Sequence, residues 1–494
     1  MRIAMICSPI IEWHEGRLVP AYMDGYRNNP HLGPYLLAAV IREAGFDVTL
    51  VDLTCVEEFR KDIVDGLSGY DVVLLSCNST NWPTCRLLAT WLKERFEGQT
   101  IVLGGIHASL FGTDVIRRSP VDYVIRGEGE KAIVPLLRAI ETGRGFDSVP
   151  GLIWRQQDGQ TVTNRRPPLL TTEELDRLPL PLYDAMPPQR FKTLAIESSR
   201  GCKGSCAFCA IPFRKHWRPI SPGAFVDRIV AMQPYVGKVE LSHFSVVDDC
   251  LTIDKDRVIA ITDELDRRGV RFEGNYDARV KDFLDEEVVE RLAPYTRGVL
   301  LGAESFSSST LKRIGKPISP EDIVRCARTV ERYGLAEDTI FSFIIGFPWE
   351  SKRDVRENIS RIVDLAFTYG VRIFLQWHTL TPGSALWAQA RSKAQVTTED
   401  LDEVGFLLGE KWFHASSTLS VEDRLDISDM IISVQKVLSF TRPFGSTRSQ
   451  ISFIIPPYLL RNKNLTETWR KRYEKAMSRE DRSDAVAGCN HPSG

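Results

Sequence analysis

The sequence has no long apolar run, no excess of basic residues and no repeated or low-complexity block. A membrane-spanning helix needs about 20 mainly apolar residues in succession, and no stretch approaches that. The formal net charge is −2, which leaves no surplus of positive charge of the kind that binds nucleic acid. We therefore expect neither a membrane span nor a nucleic-acid partner.

Cysteine is also sparse, with ten residues in a chain of 494, and only three of them are close together in sequence. Disulfide frameworks occur mainly in short secreted chains with many cysteines. The amino-terminal run Met-Arg-Ile-Ala-Met-Ile is typical of a first strand, not of a signal peptide. We expect a reducing, cytoplasmic location and, from the length, two or three domains.

Residues 1–145 alternate short apolar runs with helical patterns. The predicted strands are 3–7, 47–53, 71–77, 100–104 and 123–126. Helices are predicted between them, at 36–43, 87–97 and 131–140. This alternation predicts an α/β domain with a doubly wound parallel sheet.

Such sheets bind ligands at the carboxyl ends of their strands. Three polar or glycine-rich segments follow predicted strands, and glycine permits close approach of a bulky ligand to the backbone. The candidate ligand-binding residues in these segments are Asn78, Ser79, Thr80, Gly104, Gly105, His107, Gly127 and Glu128.

Residues 146–190 are predicted to be a linker, because a hairpin signal at Asp158 and Gly159 is followed by several prolines. A second strand and helix series is predicted in residues 191–390, with strands at 194–198, 239–244, 271–276, 298–303, 339–345 and 372–377. Residues 391–494 are predicted to be a small helical region, with helices at 422–438 and 465–477 and a polar end at 478–494. Its aromatic residues are expected in a core or over a substrate cavity: Trp412, Phe413, Phe440 and Tyr458.

Cys202, Cys206 and Cys209 follow the first strand of the second series with the spacing C-x3-C-x2-C. A four-iron cluster is usually held by four thiolates, so three cysteines leave one iron open to a chelating molecule. With Phe208 before the third cysteine, the loop resembles that of the radical S-adenosylmethionine (SAM) enzymes. The alternative is a structural zinc site completed by His216, since zinc accepts short cysteine spacings.

The resemblance implies a partial (β/α)6 barrel and assigns several residues to SAM. Glu304 and Ser305 match a SAM-binding segment after the fourth strand, although Glu304 could instead serve the start of the following helix. Asp248 or Asp249 would hold the SAM amino group or approach the substrate, and Gly346 would approach adenine. Arg279 would bind the SAM carboxylate or pair with Asp277 or Asp282. Gln376 and His378 are candidate substrate contacts, with a structural role open for His378.

The amino-terminal domain resembles the cobalamin-binding domain of one large radical SAM subgroup. The likeness lies in Pro30-His-Leu-Gly-Pro-Tyr, Gly104-Gly-Ile-His-Ala and Val124-Ile-Arg-Gly-Glu-Gly-Glu. The chain lacks the Asp-x-His-x-x-Gly segment that supplies a histidine to cobalt. The resemblance therefore implies cobalamin without a histidine ligand, with His107 lining the nucleotide tail or capping a helix. The alternative is a domain kept only as a scaffold.

The resemblance implies a cobalamin-dependent radical SAM methyltransferase with a [4Fe-4S] cluster. Its substrate would be a small molecule, methylated on an unactivated carbon or on phosphorus through methylcobalamin and a 5′-deoxyadenosyl radical. Flavodoxin or ferredoxin would supply electrons. The alternatives are cyclisation, ring contraction or oxidation without net methyl transfer, and a zinc-stapled binding protein without enzymatic activity.

Overall fold

The computed structural model describes residues 1–21, 29–156, 158–211, 213–440 and 451–454, and the single residues Asn464, Glu467 and Lys471. The predictions for Tyr458 and for residues 465–477 and 478–494 lie outside the described residues, apart from Glu467 and Lys471. The chain forms two compact units. The first contains Met1–Leu301 and Thr381–Phe406, and the second contains Gly302–Leu380 and the described residues after Phe406.

The strands are β1 Arg2–Cys7, β2 Ile11–His14, β3 Arg17–Pro20, β4 Asp47–Asp52, β5 Val72–Ser76, β6 Thr100–Gly104, β7 Tyr123–Ile125, β8 Leu152–Arg155, β9 Thr161–Thr163, β10 Leu194–Ile196, β11 Ser199–Arg200, β12 Arg218–Pro219, β13 Phe244–Val246, β14 Gly274–Arg279, β15 Thr296–Glu304, β16 Thr339–Ile345, β17 Arg372–Trp377 and β18 Ile451–Ile454. The helices are α1 Leu32–Glu43, α2 Trp82–Arg95, α3 Ile106–Arg118, α4 Ile133–Thr142, α5 Thr172–Asp176, α6 Pro222–Val236, α7 Lys255–Arg268, α8 Glu286–Leu292, α9 Ser308–Ile314, α10 Pro320–Arg332, α11 Lys352–Tyr369, α12 Ala385–Ser392, α13 Glu410–Ser416 and α14 Val421–Phe440. No described helix is both long and apolar enough to cross a membrane.

The amino-terminal sheet of the first unit has the strand order β4-β1-β5-β6-β7-β8-β9. Its first five strands are parallel, as the alternation of strands and helices predicts. The predicted hairpin at Asp158 and Gly159 forms β8 and β9, which extend the sheet edge in antiparallel fashion. Ile3, Met5, Val72 and Leu74 are buried in the apolar core of this sheet with residues of α1 and α4.

The second sheet has the strand order β10-β13-β14-β15-β16-β17-β18. The pairs β10 with β13 and β16 with β17 are parallel, which confirms the second predicted α/β series. The ribbon of β11 and β12 pairs Arg200 with Arg218, so it encloses the cysteine segment.

Two strand predictions in this sheet need correction, and one strand was not predicted. The predicted strand 239–244 ends where β13 Phe244–Val246 begins, and β14 Gly274–Arg279 starts three residues after the predicted 271–276. Val239 is buried but lies in a turn, so its apolar character reflects packing and not strand formation. The strand β18, parallel to β17, was not predicted. The predicted domain limits at residues 145, 190 and 390 remain a prediction.

Candidate cofactor sites

The cysteine loop lies between β11 and β12, with all three thiols half-buried. Two backbone hydrogen bonds hold the loop in shape. Lys215 N donates to Cys202 O at 2.6 Å, and Cys209 N donates to Cys206 O at 3.1 Å. Gly201 has a φ of +82° and a Cβ there would lie 2.6 Å from the carbonyl oxygen of His216. The first turn of the loop therefore requires glycine.

Backbone N–H groups point at two of the sulfur atoms. The Gly204 N–H lies 3.3 Å from Cys202 Sγ and the Ile211 N–H lies 3.5 Å from Cys209 Sγ. Hydrogen bonds to sulfur tune iron–sulfur clusters. Burial raises the pKa of the Cys209 thiol, and the Ile211 N–H opposes that rise, so a bound cation is needed to hold the thiolate at neutral pH. Phe208 is half-buried in the same loop.

The donor set fits an open iron–sulfur cluster better than zinc. The His216 side chain is exposed, and within the described ranges no group of three or more His, Cys, Asp or Glu residues could hold a single metal ion. Thiolates on a four-iron cluster bind different irons, so they need not converge on one point. The loop therefore fits three cluster thiolates with one iron left open.

Asp248 is fully occupied in holding the strand that precedes the cysteines. Its carboxylate accepts hydrogen bonds from Ser198 N, Ser198 Oγ and Ser199 Oγ, each at 2.6 Å. Arg257 Nη2 donates to the Ser198 carbonyl at 2.6 Å. Of the two predicted aspartates, Asp248 is thus a structural group.

Asp249 and Asp277 are accessible to solvent, and their negative charges interact. Burial among protein groups, together with the charge of Asp248, raises the pKa of Asp249 to about 6, while a backbone hydrogen bond at Gly201 opposes the rise. Burial and the neighbouring charges of Asp249 and Asp248 raise the pKa of Asp277 to about 6. Such carboxylates suit an ammonium group, since a cation would relieve their mutual repulsion. Sequence reasoning treated Asp277 only as a partner for Arg279.

Arg279 is paired with Asp282, one of the two aspartates that the sequence analysis named as possible ion-pair partners. Its Nε and Nη2 atoms donate to the two carboxylate oxygens of Asp282 at 2.7 Å each. This bidentate contact occupies the Nε and Nη2 edge of the guanidinium, and the contact of Arg279 with the SAM carboxylate remains a prediction.

In the second unit, Glu304 and Ser305 lie at the end of β15 and are buried. Glu304 has a φ of +64°, an uncommon conformation for a residue with a side chain. Its Oε1 atom lies 3.0 Å from Lys316 Nζ. Ser305 Oγ accepts the Ser307 N–H at 3.1 Å. Gly346 has a φ of +76°, and a Cβ there would lie 2.6 Å from the Trp377 ring.

The predicted substrate contacts differ in exposure. Gln376 is half-buried, whereas His378 is buried, with its Nδ1 atom 2.6 Å from the Ser416 carbonyl oxygen and its ring 4.7 Å from that of Phe347. Burial lowers the pKa of His378 to about 4, against the effect of the Ser416 carbonyl. These contacts favour the structural role for His378, and its contact with substrate remains a prediction.

In the amino-terminal sheet, Asn78 organises the loop after β5. Its side-chain oxygen accepts from Thr80 N at 2.9 Å, Thr80 Oγ1 at 2.5 Å and Asn81 N at 2.9 Å. Asn81 Oδ1 accepts a hydrogen bond from Asn78 N at 2.7 Å, and Asn81 Nδ2 donates one to Ser8 O at 2.9 Å. The role of Asn81 as the anchor of this loop was not predicted. The feature of the sequence that indicates it is the spacing of Asn78 and Asn81, since asparagine side chains often bond to the backbone of nearby turn residues.

His107 is buried against this loop. Its ring stacks on Trp82 with centroids 4.8 Å apart, and its Nδ1 atom lies 3.1 Å from Ser79 Oγ. Burial, with a smaller effect of Arg118, lowers the pKa of His107 to about 3. A neutral, stacked and hydrogen-bonded ring is a packing element, and the expectation that His107 does not bind cobalt remains a prediction.

The glycine segments border two cavities of about 140 and 250 Å³. The smaller cavity enters the sheet between Met5, Leu74 and Ile125. A Cβ placed on Gly33, Gly104 or Gly127 would meet no atom within 4 Å, so side chains there would occupy open space at the cavity walls. The walls thus fit a bulky cofactor with a tail that enters the sheet.

Glu128 differs from the other predicted cobalamin contacts because its carboxylate is hydrogen-bonded and ion-paired to other groups of the protein. It is only 4% exposed and accepts hydrogen bonds from Arg218 Nη1 at 2.8 Å and from Leu170 N at 2.7 Å. Arg200 Nη1 lies 3.1 Å away. Glu128 therefore joins the loop after β7 to the segment that carries the cysteines.

Comparisons with protein families match these two sites. The family described as the B12 binding domain matches residues 27–137, and that described as the radical SAM superfamily matches residues 196–362. The chain thus carries a B12 binding domain followed by a radical SAM domain. These domains imply cobalamin, SAM and a [4Fe-4S] cluster, in agreement with the donor set and the cavities.

Individual relatives show what the chain is similar to. An uncharacterised methyltransferase of Pyrococcus horikoshii is 28% identical over 73% of this chain and 78% of its own. The anaerobic magnesium-protoporphyrin IX monomethyl ester cyclase of Rubrivivax gelatinosus is 28% identical over 65% of this chain and 60% of its own. The solved structure of the radical SAM methyltransferase TsrM from Kitasatospora setae, with cobalamin and a [4Fe-4S] cluster bound, shares the fold with a TM-score of 0.63. It is 18% identical, over 80% of this chain and 76% of its own.

Proposed function

We propose that this chain is a cobalamin-dependent radical SAM methyltransferase that acts on an unactivated carbon, or on phosphorus, of a small molecule. The observation that supports it best is that one compact unit contains both the loop of three half-buried thiols and the glycine-lined cavities at the carboxyl ends of a parallel sheet. When bound, cobalamin carries a methyl group, and the cluster passes an electron to SAM so that a 5′-deoxyadenosyl radical is released.

The residues have distinct tasks in this proposal. Cys202, Cys206 and Cys209 hold the cluster, and the Gly204 and Ile211 N–H groups stabilise the sulfur charge. Asp249, which receives a backbone hydrogen bond at Gly201, holds the ammonium group of SAM. Gly104, Gly105 and Gly127 leave room for cobalamin. Glu304, Ser305 and Gly346 of the second unit remain predicted SAM contacts.

Each turnover consumes two SAM molecules. One would supply the methyl group and leave as S-adenosylhomocysteine. The other would accept one electron and yield methionine and, once a hydrogen atom has been taken from the substrate, 5′-deoxyadenosine. The substrate would exchange one hydrogen atom for a methyl group, and the two electrons that this balance requires would come from a donor such as flavodoxin or ferredoxin.

The test uses the full chain reconstituted anaerobically with iron, sulfide and hydroxocobalamin. We expect about four irons per chain, formation of 5′-deoxyadenosine from SAM and reductant, and formation of S-adenosylhomocysteine. Replacement of Cys202, Cys206 and Cys209 together by alanine should abolish 5′-deoxyadenosine, whereas Cys55→Ala, at another half-buried thiol, should not. Continued SAM cleavage in the triple variant would contradict the cluster assignment.

The similarity to the cyclase favours a second candidate, a radical reaction without methyl transfer. It predicts 5′-deoxyadenosine in the same preparation, but no S-adenosylhomocysteine at any cobalamin concentration. That result would replace methyl transfer by cyclisation, ring contraction or oxidation.

A further inference from the structure

A single guanidinium, that of Arg200, contacts three carboxylates in the first unit. Its Nε and Nη2 atoms donate to the two oxygens of Glu197 at 2.9 and 3.0 Å. Its Nη1 atom lies 3.1 Å from Glu128 and its Nη2 atom 2.8 Å from Glu130. The Arg200 side chain is 16% exposed, so these contacts are largely shielded from water.

Two further arginines balance the charge of this cluster. Arg218 contacts Glu128 at 2.8 Å, and Arg228 lies 3.7 Å from Glu197. Three carboxylates and three guanidinium groups thus compensate one another. Burial raises the pKa of Glu197 but is outweighed by Arg200, Arg228 and Arg218, so that its net shift is downward. An ionised network of this kind is costly to break, because a lost partner leaves a buried charge uncompensated.

The network joins the two segments that carry the cofactor sites. Arg200 lies two residues before Cys202. Glu128 and Glu130 lie in the segment that directly follows the turn at Gly127. All but Cys202 line the cavity of about 250 Å³. This cavity is therefore bounded on one side by the B12 binding loops and on another by the cysteine segment.

The conformation of the cysteine segment does not depend on Arg200 alone. Asp248 binds Ser198 and Ser199, and the Leu386 N–H donates to Ala207 O at 3.1 Å. Loss of the Arg200 contacts is therefore expected to change where the segment lies relative to the glycine turn, and not whether it folds.

We infer that Arg200 is a positioning residue that fixes the cysteine loop against the Gly127 turn and thereby sets the separation of the cluster and cobalamin. This inference rests on the proposed function, since it requires both groups to bind. Only a planar fork with several donors can bind the two oxygens of Glu197 and reach Glu128 and Glu130 together, so lysine cannot replace it.

Pulsed electron paramagnetic resonance tests the inference without a substrate. In protein reconstituted with iron, sulfide and hydroxocobalamin, and then reduced, the cobalt(II) signal relaxes faster when a paramagnetic reduced cluster is near, and this effect falls steeply with distance. The variants are Arg200→Lys and the milder Glu130→Gln, which removes only the ion pair with Arg200. Lys93→Gln is the matched control, because Lys93 pairs with Asp122 at 2.8 Å inside the B12 binding domain.

We expect Arg200→Lys and Glu130→Gln to keep the iron and cobalt content of the wild type but to change the relaxation enhancement by about twofold or more, since displacements of about 1 Å matter at such sites. Lys93→Gln should retain the wild-type value. If the Arg200→Lys and Glu130→Gln proteins bind both the cluster and cobalamin but show wild-type relaxation, this inference is overturned while the proposed function stands. A wild-type protein that binds no cobalamin or no cluster would overturn the proposed function and this inference with it.

Discussion

At the scale of single residues, burial decides what His107 and His378 can do. Both rings are buried, each has a short contact from its Nδ1 atom, and burial lowers their pKa values to about 3 and about 4. A histidine in this state is neutral at physiological pH and is held by aromatic neighbours. It contributes packing, and protonation would oppose folding.

This state predicts a loss of stability in acid that depends on His107. The unfolded histidine titrates near pH 6.5 and the folded one near 3, so the unfolded chain binds the proton first and stability falls as the pH drops below about 6.5. Between pH 7.5 and 5, the free energy of unfolding should fall by about 2 kcal/mol more in the wild type than in His107→Gln.

Urea unfolding of the cofactor-free proteins at the two pH values measures this difference. Other groups titrate alike in both proteins and cancel in the comparison. Equal pH dependence in the wild type and the variant would show that His107 is not buried in its neutral form.

At the scale of elements, the turn from β6 into α3 separates two uses of glycine. Gly105 has a φ of +100°, and a Cβ there would lie 2.4 Å from the Cys77 carbonyl oxygen. At Gly104, its neighbour, a Cβ would meet only open space at the wall of the smaller cavity. The backbone therefore requires Gly105 to be a glycine, and we predict that Gly104 is needed to leave space for the ligand.

The two alanine variants should accordingly fail in different measurements. Gly105→Ala should lower the free energy of unfolding of the cofactor-free protein by roughly 2 kcal/mol or more, from backbone strain and the clash. Gly104→Ala should leave that stability within about 0.5 kcal/mol and weaken hydroxocobalamin binding by about tenfold. Thermal unfolding and equilibrium titration test the pair, and equal effects on stability would contradict the distinction.

The accuracy of the strand predictions depended on how much of each strand is buried. β6 and β16 lie where the sequence predicts them, because each is a largely buried apolar run flanked by polar or turn residues. β17 also lies where it is predicted, with buried apolar residues alternating with half-buried ones. β13 has only three residues, and the apolar residues before it pack without forming a strand, so its position could not be read from the pattern. β18 reaches the sheet from far along the chain, and a short run of apolar residues does not indicate its partner.

In the candidate sites, too, features that are local in sequence could be predicted, whereas features that depend on contacts in space could not. The spacing of Cys202, Cys206 and Cys209 identifies a local loop, and local spacing is visible in sequence. The assignments of Arg279 and Glu128 depended on which partner lies nearest in space, and these partners are Asp282 and the arginines 200 and 218. Charge pairs between residues 72 or 90 positions apart leave no periodic signal, so the Arg200 network could not be found from one sequence.

At the scale of the whole molecule, the first unit is built from distant parts of the chain, since it ends at Leu301 and resumes at Thr381–Phe406. Asp402 anchors the returning segment. Its Oδ1 atom accepts the Trp82 Nε1 hydrogen bond at 2.7 Å, and its Oδ2 atom pairs with Arg118. Both partners belong to helices beside the B12 binding loops, so this one carboxylate ties the returning segment to that domain.

Asp402→Ala should release the returning segment. It leaves a largely buried guanidinium and an indole N–H without their carboxylate, which costs roughly 2–3 kcal/mol. Hydrogen exchange of peptides from residues 381–406 should then be faster by about thirtyfold or more where exchange proceeds by local opening. Glu399→Gln is the matched control, since Glu399 also faces Arg118 but at 3.6 Å and with a side chain 63% exposed, and it should change exchange by less than about threefold. Unchanged protection in Asp402→Ala would show that other contacts hold the segment in place.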